Sequence, residues 1–461
     1  MHINRTDVVW NYAATFLKIA ASVLLLPFIL RRMSAETVGI WSVFMTITSI
    51  ISLLDFGFNP SFTRNVTYIF SGVNQLKAKG FVNVLEVNFM VDYGLLKGVI
   101  SAMKWFYLRG ALILFLLLVT IGTYYIYSIL KNYHGIHSEV YIAWGVLCII
   151  NTYNLFTLYY DSLLQGKGLI KRSKQIVIIG QLVYLLIASI LIIEGKGLIA
   201  IVAAQASSVI IVRLLSYYSF FTKEINQKLS IAISRSKSEI LEAIYPNAIK
   251  VGLTSFGGFM VQKSAIVIGA LYLSLEEIAS YGITMQLITV IGGLSGVYTA
   301  TYLPKITNLM LKNDREAIKT LYIKGEIVLL LTYLAGGFSL LFLGEWILNL
   351  AGSNTHLMPS GLMLLALLLS FEQTNITIAG GILLAKNEVP FFKAALISGG
   401  SIVIGLFIAF QILDAGIFIM LFIPLLVDFS YQTWKWPLEV KRDLNISMRD
   451  IVTTLKNIRN T

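Results

Sequence analysis

Four basic residues of the 461-residue chain stand inside long apolar runs: Lys18, Arg213, Lys250 and Lys263. An ionisable group near a bilayer centre costs about 2.5–3.5 kcal/mol, so two facing lipid cost roughly 5–7 kcal/mol. Lys18 and Lys263 are the deepest, each near the middle of its run. Such a lysine either meets an anion in a water-filled cavity, pairs with an intramembrane carboxylate, or snorkels to an interface. Lys250 and Arg213 sit nearer the ends of their runs, where snorkelling is easier. Glu372 is central in Ser370-Phe371-Glu372-Gln373-Thr374-Asn375, the densest polar cluster in any run. Glu372, with Gln373 and Asn375, suits a coupling cation or proton, sugar hydroxyls, or neutralisation of a lysine. Asp55 and Asp161 lie near run ends and suit helix-end or structural roles. Asn151, Asn154, Gln181, Gln205 and Gln286 suit hydrogen bonds to sugar or between helices.

These residues need a membrane around them, and the composition supplies one. The chain is 57% hydrophobic and 13% charged, whereas soluble proteins carry about a quarter charged residues. Too little polar surface is left to face water. A spanning helix needs about 20 apolar residues. Twelve runs qualify: 9–30, 38–58, 108–130, 140–163, 174–194, 197–221, 247–272, 278–303, 325–343, 360–384, 390–411 and 413–433. The expected fold is therefore all-α and polytopic. Pro246, Pro359 and Pro390 mark helix starts, and Pro27 and Pro424 are expected kinks.

With the N-terminus cytoplasmic, 28 Lys and Arg fall in cytoplasmic segments and 4 in the opposite loops. That asymmetry fits the positive-inside rule and places both termini in the cytoplasm. It also accounts for the net charge of +12 without nucleic acid. The first run is too long for a cleavable signal peptide and reads as a retained anchor. The lone Cys148 precludes an intrachain disulfide, and no metal-ligand cluster or cofactor motif is present. The longest loop, 65–107, ends in Val91–Tyr107, where Leu95, Leu96, Val99, Ile100, Met103 and Phe106 recur at helical spacing. This stretch reads as an amphipathic helix, lying on the membrane or packed against the cytoplasmic face of the bundle.

An internal repeat at an offset of 240 organises the runs. Ser34-x-Glu36-x-Val38-Gly39-x-Trp41 precedes the second run, and Ser274-x-Glu276-x-Ile278-Ala279-x-Tyr281 precedes the eighth. Two six-helix halves follow, 1–222 and 223–461, each opening on a helix with one deep lysine. Transporters built from such repeats bind substrate near the midplane, where the halves meet. Paired glycines at 257–258, 292–293, 380–381 and 399–400 allow close helix packing, or bending.

The N-terminal stretch resembles the Wzx-type polysaccharide-biosynthesis flippases of the multidrug/oligosaccharidyl-lipid/polysaccharide exporter superfamily. Pro27, Ser34-Ala-Glu-Thr-Val-Gly39-Ile-Trp41, Leu54-Asp55-Phe-Gly57 and Arg64 carry the resemblance, together with the twelve-helix layout. These motifs cover mainly the first seventy residues. The resemblance implies flipping of an undecaprenyl-diphosphate-linked oligosaccharide, an O-antigen or capsule unit, across the bacterial inner membrane. It also implies membrane lipids and other polysaccharide-assembly membrane proteins as partners. A cationic cavity with Lys18, Lys263, Lys250 and Arg213 would then meet the diphosphate, since ammonium groups suit a sliding anionic headgroup.

Three other functions compete. A cation-coupled drug exporter of the same superfamily calls for an acidic, aromatic cavity rather than deep lysines. A glycan polymerase or ligase needs polar residues in a sizeable external loop, and the external segments are short, with only His134, His137 and His356 as histidines. No nucleophile–base constellation is present, so no enzyme is expected. A passive scaffold leaves the buried lysines unexplained.

Overall fold

The computed structural model describes residues 5–55, 58–72, 91–311, 314–350, 352–384, 390–413 and 415–459. All regular structure among them is helical. Among the described residues, nine helical segments are long and apolar enough to cross a bilayer. Runs that are apolar all round form helices buried in protein on one side and lipid on the other. The chain divides into two compact units, Met1–Thr37 with Val43–Phe256, and Val38–Ser42 with Gly257–Thr461.

In the first unit, α1 (Arg5–Arg32) packs along α9 (Ile170–Ile193), which packs in turn on α10 (Gly197–Phe220). The second expected span is broken into α2 (Ala35–Thr48) and α3 (Ile51–Leu54), followed by α4 (Phe58–Phe70). The fourth is broken into α7 (His137–Phe156) and α8 (Tyr159–Gly166). Both breaks carry a threonine whose hydroxyl bonds back four residues, Thr48 to the Phe44 carbonyl at 3.0 Å and Thr157 to the Tyr153 carbonyl at 2.7 Å. Such bonds compete with the helical ladder and bend it. Tight-turn bonds then satisfy the freed backbone, as from Leu158 N–H to the Leu155 carbonyl at 3.2 Å.

The stretch 91–107 is not a separate surface helix. It is the first part of one 37-residue helical segment, Tyr93–Ile129. This segment comprises α5 (Tyr93–Leu117), a π-helical turn (Leu118–Gly122) and α6 (Thr123–Ile129). Asp92 caps it by accepting from Leu95 N–H at 2.8 Å. Leu95, Leu96, Val99, Ile100 and Met103 are buried, with α11 (Lys223–Ile231) and the stretch that follows it as neighbours. Lys97 donates to the Ala232 carbonyl at 2.9 Å, and Arg235 pairs with Asp92 at 2.7 Å. The extension is therefore a packing element held by α11 and Arg235, not a helix lying on the membrane.

In the second unit, α12 (Lys237–Gly269) enters from the first. It begins well before Pro246, which therefore lies inside the helix and not at its start. Four long helices follow: α13 (Leu275–Leu311), α14 (Arg315–Leu350), α15 (Ser360–Leu384) and α16 (Phe392–Ile412). The last expected span is α17 (Ile417–Ser430), broken at Tyr431 from α18 (Gln432–Asp443), and α19 (Met448–Arg459) ends the described chain. Pro27 and Pro424 lie inside α1 and α17. Gly257 and Gly399 bring α12 and α16 together: a Cβ on Gly399 would stand 2.9 Å from the Gly257 carbonyl oxygen. This is close small-residue packing.

Both copies of the internal repeat begin as helix caps. Ser34 Oγ accepts from Thr37 N–H at 3.3 Å and opens α2. Ser274 and Glu277 form a reciprocal capping box at α13, with bonds of 3.0 and 3.2 Å. Glu36, in the first turn of α2, accepts from His134 N–H at 2.9 Å and contacts its Nδ1 at 2.7 Å. Burial pushes the Glu36 carboxyl up, but its bonds to His134 outweigh this and hold it below the usual carboxylate range.

Two measurements check these contacts. A Cβ on Gly166 would stand 2.5 Å from Val66 Cβ, whereas Gly145 has nothing within 4 Å. Gly166→Leu is expected to cost about 1–3 kcal/mol by overpacking and to lower the thermal midpoint in detergent, with Gly145→Leu near neutral. Equal midpoints would refute the α4–α8 contact. The lowered Glu36 pKa contributes stability that is full above the ordinary Glu range and is lost as pH falls through it. Glu36→Gln should therefore lower the midpoint at pH 7, and the gap should close below about pH 4. A gap that persists in acid would contradict the pairing.

Candidate functional site

In the second unit, four polar residues of α15, Ser370, Glu372, Gln373 and Thr374, engage neighbouring elements. Tyr333 of α14 places its hydroxyl 2.8 Å from Ser370 Oγ and 2.9 Å from Thr374 Oγ1. Gly292 of α13 makes room, since a Cβ there would be 2.9 Å from the Tyr333 hydroxyl. One residue along from this trio, the predicted pair engages the break in the last span. Glu372 Oε2 accepts from Thr433 Oγ1 at 3.2 Å, and Gln373 Nε2 donates to Asp428 Oδ2 at 3.3 Å. Gln432 Nε2 reaches Asp428 Oδ1 at 3.5 Å, and Trp436 Nε1 reaches Gln432 Oε1 at 3.4 Å. The helix break at Tyr431 turns Gln432 and Thr433 toward these acids.

Glu372 is 4% exposed and Asp428 1%. Thr433, Gln373 and Gln432 are neutral donors to them, and no described Lys or Arg forms an ion pair with either. A buried carboxylate without a counter-charge is costly. Two of them, supplied with hydroxyl and amide donors, can hold a proton or a cation. Asn375 belongs to the same stretch, and its Oδ1 is buried without a hydrogen-bond partner. Glu326 Oε1 on α14 is likewise buried and unbonded.

Lys263 of α12 is half-buried and makes no hydrogen bond or ion pair with a described residue. It is not brought to Glu372 or Asp428. Lys18 and Lys250 fall within α1 and α12, but their side chains lie outside the described residues.

Arg213 has a different setting, in the first unit. It is 5% exposed on α10. Nη1 pairs with Asp161 Oδ2 at 2.9 Å, while Nε and Nη2 donate to Asn154 Oδ1 at 3.1 and 2.7 Å. Its fork is thus committed to the two sides of the α7–α8 break. Nearby, Tyr107 donates to Asp55 Oδ1 at 2.6 Å, and Asn59 N–H donates to the same carboxylate at 3.1 Å. Ser162 Oγ donates to Asn59 Oδ1 at 2.7 Å and ties α8 to α4. Asp55 and Asp161 here hold broken helices together, the structural role read for them from sequence.

Sequence reasoning found Glu372, Gln373 and Asn375 but missed Asp428, Thr433, Tyr333 and Glu326. Asp428 was visible as an acid inside the last apolar run, and Glu326 as one in the first turn of the ninth. The partnership of Thr433 with Glu372 spans 61 residues and has no local signal.

No protein-family model matches the chain, and no curated protein matches it. Solved structures do. The MATE multidrug transporter DinF-BH superposes with a TM-score of 0.60 at 14% identity, over 97% of this chain and 96% of that one. The lipid II flippase MurJ gives 0.58 at 12% identity, over 97% and 89%. A MOP-superfamily transporter from Pyrococcus furiosus gives 0.57 at 14% identity, over 95% of each. The chain has the MOP-transporter fold. At these identities the likeness establishes the fold, and it spans both drug-transporter and lipid-flippase members.

Arg213 provides a direct check of the first-unit geometry. Arg213→Ala strips Asn154 and Asp161 of their donor, and breaking a buried pair this way costs about 3–5 kcal/mol. The purified variant should melt well below the parent in detergent. An unchanged midpoint would show that the fork is not holding the α7–α8 break.

Proposed function

We propose that the chain is a flippase that carries an undecaprenyl-diphosphate-linked oligosaccharide from the cytoplasmic to the outer leaflet of a bacterial inner membrane. The observation that carries this reading is Lys263, half-buried in α12 and in no ion pair with a described carboxylate. An unpaired ammonium at that depth repels a cationic drug and attracts a diphosphate. The MOP fold supports the reading, because it includes a flippase of a lipid-linked molecule. Lys18 and Lys250 join Lys263 as the proposed headgroup contacts. Arg213 is tied to Asp161 and Asn154 and contributes by positioning them.

The fold's other members favour a second reading, a cation-coupled exporter, and the Glu372–Asp428 pair is the observation behind it. The two readings differ in energy source. A lipid diphosphate with about two negative charges gains roughly 4–5 kcal/mol on moving outward through 100 mV, negative inside. That bias exceeds a thousandfold, so the potential alone suffices if the lysines stay with the protein.

Transport in liposomes, with potential and ion gradients set independently, separates them. A potential alone should drive flipping, Glu372→Gln should retain that response, and Lys263→Ala should reduce flipping at unchanged insertion. Dependence on an ion gradient that is lost in Glu372→Gln would make the carboxylate a coupling site and overturn the potential-driven scheme.

A further inference from the structure

The first unit carries an apolar groove on the outer wall formed by α5 and α7. Its volume is about 300 Å³, and its lining includes Leu108, Ala111, Leu112, Phe115, Ile149 and Phe156. The one hydroxyl of known direction at its edge, Thr152, is turned inward and donates to the Cys148 carbonyl at 2.8 Å. Ala111, the smallest of the lining residues, is buried and leaves room between its larger neighbours. Leu112, Ile113, Leu116 and Ile149 around it are all more than half exposed. In a chain with nine membrane-length helical segments, such a wall faces hydrocarbon.

Charge at one end of the groove narrows what fills it. Lys104, Leu108, Ala111, Leu112 and Phe115 recur at spacings of three and four, so they share one face of α5. Lys104 is exposed and makes no ion pair with a described residue. Arg109, also exposed, stacks on Trp105 at 3.9 Å and forms no ion pair with a described residue. Lys104 therefore stands about one turn from Leu108 on the groove's own face, toward the end of the helix that bears the basic loops, and Arg109 follows Leu108 directly on the neighbouring face. Cations at a membrane edge next to a hydrocarbon slot complement a phosphate joined to an alkyl chain.

We propose that the α5–α7 groove is a binding site for an anionic phospholipid of the inner leaflet, with one acyl chain in the groove and the phosphate at Lys104 and Arg109. This site is independent of the transported substrate and of the energy source. It would fix a boundary lipid against the third and fourth spans, next to the α7–α8 break that Arg213 holds.

Native mass spectrometry of the full-length protein in detergent, titrated with phosphatidylglycerol or phosphatidylcholine, tests it. Phosphatidylglycerol should bind more tightly. About 1 kcal/mol per basic residue near an anionic headgroup corresponds to about fivefold in affinity. Lys104→Ala and Arg109→Ala should each remove about that factor for phosphatidylglycerol alone. Leu112→Trp, an exposed position that narrows the slot, should weaken both lipids while thermal midpoints stay unchanged. Equal binding of the two lipids, or an unaltered preference in the double variant, would overturn the site. Displacement of phosphatidylglycerol by equimolar polyprenyl phosphate would also overturn it, by making the groove a substrate-tail site.

Discussion

Hydrocarbon offers no hydrogen bonds, so every polar group placed within it must be satisfied by the protein or serve a ligand. This constraint explains where the helices of this chain break. The breaks between α2 and α4, between α7 and α8, and at Tyr431 all coincide with acids: Asp55 and Asp428, which are buried, and Asp161, which is part-exposed. Each acid is met by donors that the break itself presents or that a neighbouring helix supplies. The broken spans are the places where the fold can carry polar chemistry.

The two units use this device differently. In the first, a guanidinium closes the account: Arg213 gives three of its donors to Asp161 and Asn154, and Tyr107 with Asn59 serves Asp55. Charge meets charge, and the cluster is a clamp. In the second, Glu372 and Asp428 accept from neutral donors, while Asn375 Oδ1 and one carboxylate oxygen of Glu326, Oε1, are left unbonded and Lys263 stays apart. That imbalance marks the second unit as the one with capacity for a ligand, a proton or an ion.

Much of the fold was legible because length and hydropathy are local. The run 360–384 coincides with α15 and 197–221 nearly so with α10. Failures came where a helix outlasts its apolar run. α5 begins fifteen residues before the run at 108, because its first part is amphipathic and is stabilised by α11 and Arg235. α12 continues through Pro246, against the rule that proline opens a helix. The site was half legible. Depth along a helix can be read from sequence, so Glu372 and Lys263 stood out. Azimuth cannot, because a helix that is apolar all round has no periodicity to show which face meets which neighbour. Thus neither the Thr433–Glu372 contact nor the engagement of Arg213 with Asp161 was foreseeable.

The proposed movement of an anionic lipid headgroup rests on Lys263, which forms no ion pair with a described residue and stands apart from the Glu372 and Asp428 carboxylates. The decisive measurement is the leaflet distribution of lipid-linked glycans after deletion of the gene. A flippase predicts a diphosphate-linked oligosaccharide that accumulates on the cytoplasmic leaflet and is cleared when the intact gene, but not Lys263→Ala, is restored. An unchanged glycan distribution together with altered sensitivity to cationic drugs would contradict it.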